Sequence, residues 1–354
     1  MKRFTLIIIT LLLSVQVGPL QAQKKDLPKI MILATGGTIA GSAQSTTSVG
    51  YTSGAVTIDA LLQAVPTLTD IAKIKGEQIA SIGSQDMNDA VWLKLAKRIN
   101  ELLKTDTVDG IVITHGTDTM EETAYFLQLV VKSNKPVVLT GSMRPSTALS
   151  ADGPLNIYNA VAVAGDTAAR GRGVLVAAND DIHSGRDITK TNTTSVQTFM
   201  SPQYGLIGTT LYGRQTFFRQ PYRKHTTMSE FSLDGVSSLP RVDVIYAHAD
   251  MSADLIDAAV ANGAKGIVIA GVGDGNMTTS ALEALKRAAS KGVVCVRSSR
   301  TPTGRTWRNS EVNDDENGFV ASGELLPAKA RVLLKLALLK TNDVTTIQNY
   351  FNQY

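Results

Sequence analysis

A buried strand ends in a run of hydroxyl side chains in residues 111–119, which read IVITHGTDT. Residues 32–41, ILATGGTIAG, repeat the pattern. In both segments the apolar run predicts a strand, and the glycine predicts a sharp turn that exposes a threonine. Because α/β proteins place their chemistry at the carboxyl edge of a parallel sheet, Thr38 and Thr117 are candidate nucleophiles for hydrolysis or acyl transfer.

Each loop also has a simpler interpretation. A Gly-Gly turn after a strand is usually an ordinary junction between the strand and a loop. A dinucleotide-binding loop is conceivable, but the glycines of the first loop lack the G-x-G-x-x-G spacing, and no G-K-[ST] follows. The two loops together favour catalysis, because the second joins Thr117 to the carboxylate of Asp118 and runs into an acid-rich helix start.

Strand and helix patterns alternate along the first part of the chain. This alternation is typical of a parallel sheet with crossover helices. A β-hairpin is predicted at residues 206–217. The predicted strands are residues 29–35, 78–82, 110–114, 137–140 and 174–177, and the predicted helices are residues 87–103, 121–131 and 156–164.

A second, smaller set of α/β elements follows a polar stretch, residues 219–240, which we interpret as an interdomain linker. The prediction is an α/β protein with two α/β domains. The larger N-terminal domain, residues 23–218, has a mainly parallel sheet with flanking helices and the hairpin. The smaller C-terminal domain, residues 241–354, has a parallel sheet. Its predicted strands are residues 242–247, 266–270 and 293–297, and its predicted helices are residues 253–261, 280–290, 328–339 and 344–349.

The first 22 residues have the pattern of a cleavable secretory signal. Lys2 and Arg3 precede an apolar stretch at residues 6–13, and small residues offer a cleavage point before residue 23. The apolar run is far shorter than the about 20 residues that span a bilayer, so we expect a soluble protein in the periplasm or outside the cell. Loss of the two cations lowers the net charge from +4 to +2, which argues against nucleic acid as a partner.

The sequence resembles the bacterial type II, periplasmic L-asparaginases. The resemblance is carried by residues 34–41 and 114–123 and extends from about Leu27 to Tyr354, through residues 83–86, 143–146, 185–190 and 296–300. It implies hydrolysis of free L-asparagine to L-aspartate and ammonia through an acyl-enzyme, with minor glutaminase activity. It also implies that a homotetramer carries its active sites at the intimate dimer interface. No metal or cofactor is expected, because the histidines are few and scattered and the paired aspartates at 180–181 and 314–315 lack ligand spacing.

A threonine hydroxyl is a weak nucleophile and needs a base or a polarising neighbour. No histidine is placed as the base of a Ser-His-Asp site, and we interpret His115 as bracing its turn. A lysine is the available substitute, because desolvation can make it a proton acceptor. Spacing alone does not single out Lys190 among the 35 basic residues.

The resemblance assigns the catalytic roles. Thr38 is the primary nucleophile, assisted by Tyr51, and Thr117, Lys190 and Asp118 form a supporting triad. The segment between Gly41 and Gly54 consists mostly of small polar residues, so it is a candidate lid over the substrate.

The resemblance also assigns the substrate contacts. Ser84, Gln85, Thr117 and Asp118 hold the α-carboxylate and α-amino groups. The backbone carbonyl of Ser142 contacts the side-chain amide.

Two further contacts, Asn276 and Glu311, are implied to arrive from a neighbouring subunit. From the sequence alone these residues belong to a glycine-rich turn and an acidic surface loop. One departure from the family lies nearby, because Asp274 stands where close relatives often have asparagine. This change could alter the charge near the subunit junction.

Three other functions are alternatives. A glutaminase-asparaginase differs by one methylene in its substrate, a difference worth only about 1 to 3 kcal/mol. Members with strong glutaminase activity tend to have Ser-Glu and Gly-Ser where this chain has Ser84-Gln85 and Gly275-Asn276, which favours asparagine. A periplasmic amino-acid binding protein would share the signal and the two domains but would not use a threonine nucleophile. A sugar or nucleotide hydrolase on a similar sheet is the third alternative, but this chain lacks the paired carboxylates or the phosphate-binding loop that such an enzyme would show.

Overall fold

The computed structural model describes residues 26–43, 45–46, 51–52, 54 and 57–354, without the side chains of residues 42–43 and 51–52. The predicted signal at residues 1–22 lies outside this range, as do residues 44, 47–50 and 53 of the predicted lid and the side chain of Tyr51. None of the helices in the described part of the chain has the length and apolar character needed to cross a bilayer.

The larger domain contains twelve strands and four helices among the described residues. The strands are β1 (Lys29–Gly36), β2 (Ser42–Ala43), β3 (Tyr51–Thr52), β4 (Lys73–Ile82), β5 (Gly110–Thr114), β6 (Val137–Thr140), β7 (Val174–Ala178), β8 (Asp181–Ser184), β9 (Thr189–Lys190), β10 (Phe199–Met200), β11 (Gly208–Leu211) and β12 (Arg214–Phe217). The helices are α1 (Ile58–Gln63), α2 (Asp89–Leu103), α3 (Met120–Val130) and α4 (Gly153–Gly165).

One mixed sheet organises this domain, with the strand order β12-β11-β8-β7-β6-β5-β1-β4. The strands from β4 to β7 are parallel, and β8, β11 and β12 extend the sheet in antiparallel fashion. The last two strands form the predicted hairpin. The prediction of a mainly parallel sheet is therefore confirmed.

The central strands are buried along their whole length, as expected for a sheet covered by helices on both faces. Along β5, Ile111 and Ile113 pack with α2 and α3 on one face. Val112 packs with α1 and α4 on the other face. Because β1, β4, β5 and β6 run parallel, their carboxyl ends lie at one edge of the sheet, where the loops are free to carry chemistry.

The smaller domain has a four-stranded sheet in the order β13-β14-β15-β16, with parallel neighbours throughout. Its strands are β13 (Val242–Tyr246), β14 (Gly266–Gly271), β15 (Val294–Ser299) and β16 (Phe319–Ala321), and its helices are α5 (Asp254–Ala261), α6 (Thr279–Ser290), α7 (Asp314–Asn317), α8 (Pro327–Ala337) and α9 (Val344–Gln353). Residues 219–240 contain one short 3-10 turn, Thr226–Met228, within the described chain.

The two domains share one hydrophobic core. Helix α3 of the larger domain packs against α8 of the smaller domain, and side chains of both belong to the same buried cluster as Val268 and Phe351. This shared burial places α8 close to the carboxyl edge of the large sheet.

Candidate active site

The two threonine loops touch through their glycines. They leave neighbouring parallel strands, β1 and β5, at the same edge. A Cβ on Gly37 would lie 2.3 Å from the backbone nitrogen of Gly116, and the φ angle of Gly37 is 83°, so a side chain does not fit between the loops. Thr38 and Thr117 follow these glycines directly and are 6% and 5% exposed.

Lys190 joins the second loop from the short ribbon of β9 and β10. Its ammonium donates to the hydroxyl oxygen of Thr117 over 2.9 Å and to Oδ1 of Asp118 over 2.6 Å. The backbone N–H of Lys190 donates to Oε2 of Glu121 over 2.7 Å, which ties the ribbon to the start of α3. A hydroxyl, a carboxylate and an amine in direct hydrogen-bond contact can pass a proton among themselves.

Ser84 lies at the end of β4 and connects that strand to the Thr117 loop. Its hydroxyl oxygen accepts the backbone N–H of Asp118 at 3.1 Å, and its carbonyl accepts the hydroxyl of Thr119 at 2.7 Å. A Cβ on Gly116 would lie 2.5 Å from the Ser84 hydroxyl oxygen. Gln85 follows with an exposed side chain, which leaves its amide available to solvent or substrate.

Ser142 follows the end of β6 and is buried. Its hydroxyl donates to the carbonyl of Arg144 at 2.7 Å. Ser142 also lies beside the Thr38 loop, because a Cβ on Gly153 would be within 3.5 Å of Ser142 and 3.1 Å of Ile39. The loops after β1, β4, β5 and β6 thus lie close together at this edge.

His115 braces the Thr117 loop through a buried chain of hydrogen bonds. The indole N–H of Trp92 can only donate, and it reaches the Thr123 hydroxyl at 2.8 Å. The Gly116 carbonyl can only accept, so Nδ1–H of His115 donates to it at 2.7 Å, and Nε2 of the neutral ring accepts the Thr123 hydroxyl at 2.9 Å. Burial lowers the pKa of His115 to about 4. The imidazole ring is therefore neutral at neutral pH, and its two hydrogen bonds hold the loop in place.

Acidification is expected to destabilise the protein through His115 and His183. Burial lowers the pKa of both to about 4, so the unfolded chain binds protons that the folded chain does not. Their contribution is complete above pH 6.5 and is lost as the pH falls toward 4, by about 2 to 3 kcal/mol per histidine. Denaturant unfolding at several pH values measures how the free energy of unfolding changes with pH. This free energy should fall less steeply on acidification in the double variant His115→Gln/His183→Gln than in the wild type. His248→Gln is a control at an exposed position and should keep the wild-type pH dependence of the free energy of unfolding. The same pH dependence in all three proteins would show that His115 and His183 do not cause the acid destabilisation.

Two residues that the sequence did not single out support Lys190. One is Glu121, which holds its backbone N–H. The other is Lys329 of α8, whose buried ammonium donates to the carbonyl of Arg186 at 2.7 Å and to that of Ile188. Burial lowers the pKa of Lys329 to about 8. In the sequence Lys329 resembles a solvated helix lysine, and only the packing of α8 against the larger domain reveals its contacts.

Asn276 and Glu311 form a pair of their own at the carboxyl edge of the smaller sheet. The Asn276 side-chain amide donates to Oε2 of Glu311 at 2.5 Å, and Glu311 is exposed. Within the described chain, no hydrogen bond or ion pair connects this pair to Thr117, Asp118 or Lys190 of the same subunit.

Comparisons with known proteins match this chain over nearly its whole length. Residues 29–224 match the family model described as "Asparaginase, N-terminal", and residues 241–351 match "Glutaminase/Asparaginase C-terminal domain". The chain is 56% identical to "Probable L-asparaginase periplasmic" of Haemophilus influenzae, covering 94% of this chain and 95% of that protein. It is 56% identical to "L-asparaginase 2" of Escherichia coli, over 93% and 94% of the two chains. It is 47% identical to "Glutaminase-asparaginase" of Acinetobacter glutaminasificans, over 92% and 99%.

Proposed function

Because the chain belongs to the asparaginase family, we propose that it hydrolyses free L-asparagine to L-aspartate and ammonia, with minor activity on L-glutamine. The observation that carries this proposal is the contact of the Lys190 ammonium with both Thr117 and Asp118. This contact is made on the Thr117 loop, which meets the Thr38 loop where Gly37 approaches Gly116. A binding protein has no need for an amine held against the hydroxyl and the carboxylate of one threonine-bearing loop.

In the proposed reaction, the Thr38 hydroxyl oxygen attacks the side-chain amide carbon of asparagine. The Thr38 proton passes, with help from Tyr51, to the departing nitrogen, and the carbon–nitrogen bond breaks to release ammonia. Backbone N–H groups of the glycine loops stabilise the oxyanion. Water then adds to the ester carbon, aspartate leaves, and Thr38 regains its proton. The triad of Thr117, Lys190 and Asp118 moves protons beside this centre.

Recognition of a free amino acid follows from charge. We propose that Ser84, Gln85 and Thr117 bind the α-carboxylate through hydroxyl, amide and backbone donors. Asp118 and Glu311 attract the α-ammonium, and the carbonyl of Ser142 accepts from the side-chain amide. Asparagine within a peptide has neither free α-group and would lose both sets of contacts.

We further propose that each site is completed by Asn276 and Glu311 of a neighbouring subunit in a homotetramer. Their position supports this arrangement, since they lie at the exposed carboxyl edge of the smaller sheet and bond to each other rather than to the triad of their own chain.

Mixing two inactive variants is expected to restore activity if the site is shared. Thr38→Ala chains lack the nucleophile and Glu311→Ala chains lack the ammonium contact. After subunit exchange, some sites combine wild-type Thr38 from one chain with wild-type Glu311 from the other. Ammonia release should then reappear in the mixture and stay absent in each protein alone. Continued inactivity after exchange has been demonstrated by native mass spectrometry would assign Glu311 to its own chain or to no role.

The proposed location is the periplasm, reached by cleavage of a signal at residues 1–22. The Haemophilus influenzae relative is itself named periplasmic. N-terminal sequencing of the protein recovered from the periplasm of a Gram-negative host would test the cleavage directly.

Side-by-side ammonia assays with free asparagine and free glutamine test the proposed activity. Glutamine is longer by one methylene, so its amide carbon leaves the attack line or its α-groups shift. We expect kcat/KM for glutamine to be lower by about tenfold to a few hundredfold. Asn276→Ser should change this ratio more than Ser84→Ala does. Equal efficiencies would make the chain a glutaminase-asparaginase, and recovery of unchanged asparagine would make it a binding protein.

A further inference from the structure

Arg297 of β15 lies near the carboxyl edge of the smaller sheet and is completely buried. Its Nε and one terminal nitrogen donate to the two carboxylate oxygens of Asp314 at 2.7 and 2.8 Å. Its remaining donors reach the backbone carbonyl of Asp274 at 2.8 Å and that of Trp307 at 3.0 Å. One guanidinium therefore connects two loops, the turn that leads to Asn276 and the loop that leads to Glu311.

Asp274 connects the same two loops a second time through its side chain. Its Oδ1 accepts the backbone N–H of Trp307 at 2.7 Å, and its Oδ2 accepts the Ser310 hydroxyl at 2.5 Å. Ser310 is the residue immediately before Glu311. The Asp274 carboxylate thus holds the backbone at Trp307 and the side chain of Ser310, and these two residues precede Glu311 in its loop.

The turn itself is tightly closed. Val272 and Asn276 exchange backbone hydrogen bonds of 2.9 and 2.8 Å. A Cβ on Gly275 would lie 2.8 Å from the Thr306 methyl carbon and 3.3 Å from the Arg297 guanidinium. Asn276 therefore starts from a backbone that cannot relax independently of the Glu311 loop.

We propose that Arg297 and Asp274 are positioning residues that preorganise the Asn276–Glu311 pair to receive the substrate's α-ammonium, an inference that rests on the proposed function. Glu311 is exposed and has a flexible side chain, so an unsupported loop would have to be ordered when substrate binds. Ordering the loop in advance removes that entropic cost from binding. The two-point connection by Asp274 makes this residue a determinant of amino-acid recognition although it does not contact substrate.

The Asp274 carboxylate accepts from two donors, and a substitute must satisfy both. In an Asp274→Asn variant the carbonyl oxygen can still accept the Trp307 N–H, while the amide can donate to the Ser310 hydroxyl after that hydroxyl rotates. Alanine provides neither contact. The asparagine variant should therefore rescue the function that the alanine variant loses.

Calorimetric binding of L-aspartate and succinate to the full-length oligomer tests the proposal. The two ligands differ only in the α-ammonium. Asp274→Ala is expected to weaken aspartate binding about five- to twentyfold and to leave succinate binding unchanged, while Asp274→Asn stays within about twofold of wild type. The KM for asparagine should rise in parallel, with a smaller change in kcat. Asp274 is the test position because removing Arg297 would leave Asp314 buried without its partner.

The matched control is Asp257→Ala, which breaks an ion pair of 3.0 Å with Arg287 on an exposed face of the same domain. It should leave both affinities unchanged. Equal weakening of both ligands by Asp274→Ala, or unchanged binding of both, would overturn the positioning role. Wild-type protein that releases ammonia from asparagine retains the proposed function in either case. Wild-type protein that releases none would overturn the function itself and this inference with it.

Discussion

Replacing Thr38 with alanine is expected to lower kcat for asparagine by a factor on the order of 10⁴ or more, because the nucleophile of the proposed acyl transfer is lost. The change removes one hydroxyl and one methyl group at a strand end, so the fold should persist. Thr38→Ser keeps a hydroxyl and should retain part of the activity. Steady-state ammonia release, with circular dichroism to verify folding, measures the effect.

The second threonine, Thr117, has a different proposed role from that of Thr38. Thr117→Ala should likewise reduce kcat strongly, but through loss of the Lys190 contact rather than of the attacking atom. A folded Thr38→Ala protein with near wild-type turnover would show that Thr38 is not the nucleophile.

Lys190→Met is expected to lower kcat by about 10² to 10⁴, the usual range for a general acid or base. The substitution removes the amine that contacts both Thr117 and Asp118 while keeping a long apolar stem. Measurement of kcat and KM separately should place most of the loss in kcat, because the lysine acts on proton movement rather than on substrate affinity.

Lys135→Met is a matched control for this variant. The side chain of Lys135 is 17% exposed, against 18% for Lys190, and its ammonium also makes two hydrogen bonds, to the carbonyls of Thr105 and Val108. This control should keep wild-type kcat. A similar loss of activity in both variants would attribute the Lys190 effect to general destabilisation.

The fold was predictable where burial determines the pattern. Fully buried strands such as β5 and β6 have continuous apolar sequences and clear turn residues, and their predicted limits match the structure. The start of β4 was missed because it is an edge strand whose first residues, KIKGEQ, are charged and largely exposed. Strand β16 was missed because three residues, Phe319–Ala321, are too few to show a period. The domain limits at residues 218 and 241 stay a prediction.

The candidate site was predictable where a residue's position follows from a strand end. Thr38 and Thr117 follow parallel strands, so the topology brings their loops together, whereas Ser84 and Ser142 were assigned through family resemblance. Lys190 was found only through family resemblance, because it lies in a two-residue strand.

The sequence indicated that His115 braces its turn and that Asp274 departs from the family, but it did not indicate the partners of either residue. The hydrogen-bond chain of Trp92, Thr123 and His115 joins residues separated by up to 31 positions. The contacts of Lys329 and Asp274 depend on the packing of α8 and on the approach of two loops, and Lys329 in the sequence resembles a surface residue. Such contacts depend on tertiary arrangement, which local periodicity does not encode.

The most direct test of the account is to trap the acyl-enzyme. Wild-type protein turning over asparagine is quenched in acid, digested, and searched by mass spectrometry for peptides that carry one β-aspartyl group. We expect this group as an ester on the peptide containing Thr38, and we expect it to be absent from Thr38→Ala protein treated in the same way. An acyl group on Thr117, or rapid turnover with no acyl group on either threonine peptide, would contradict it.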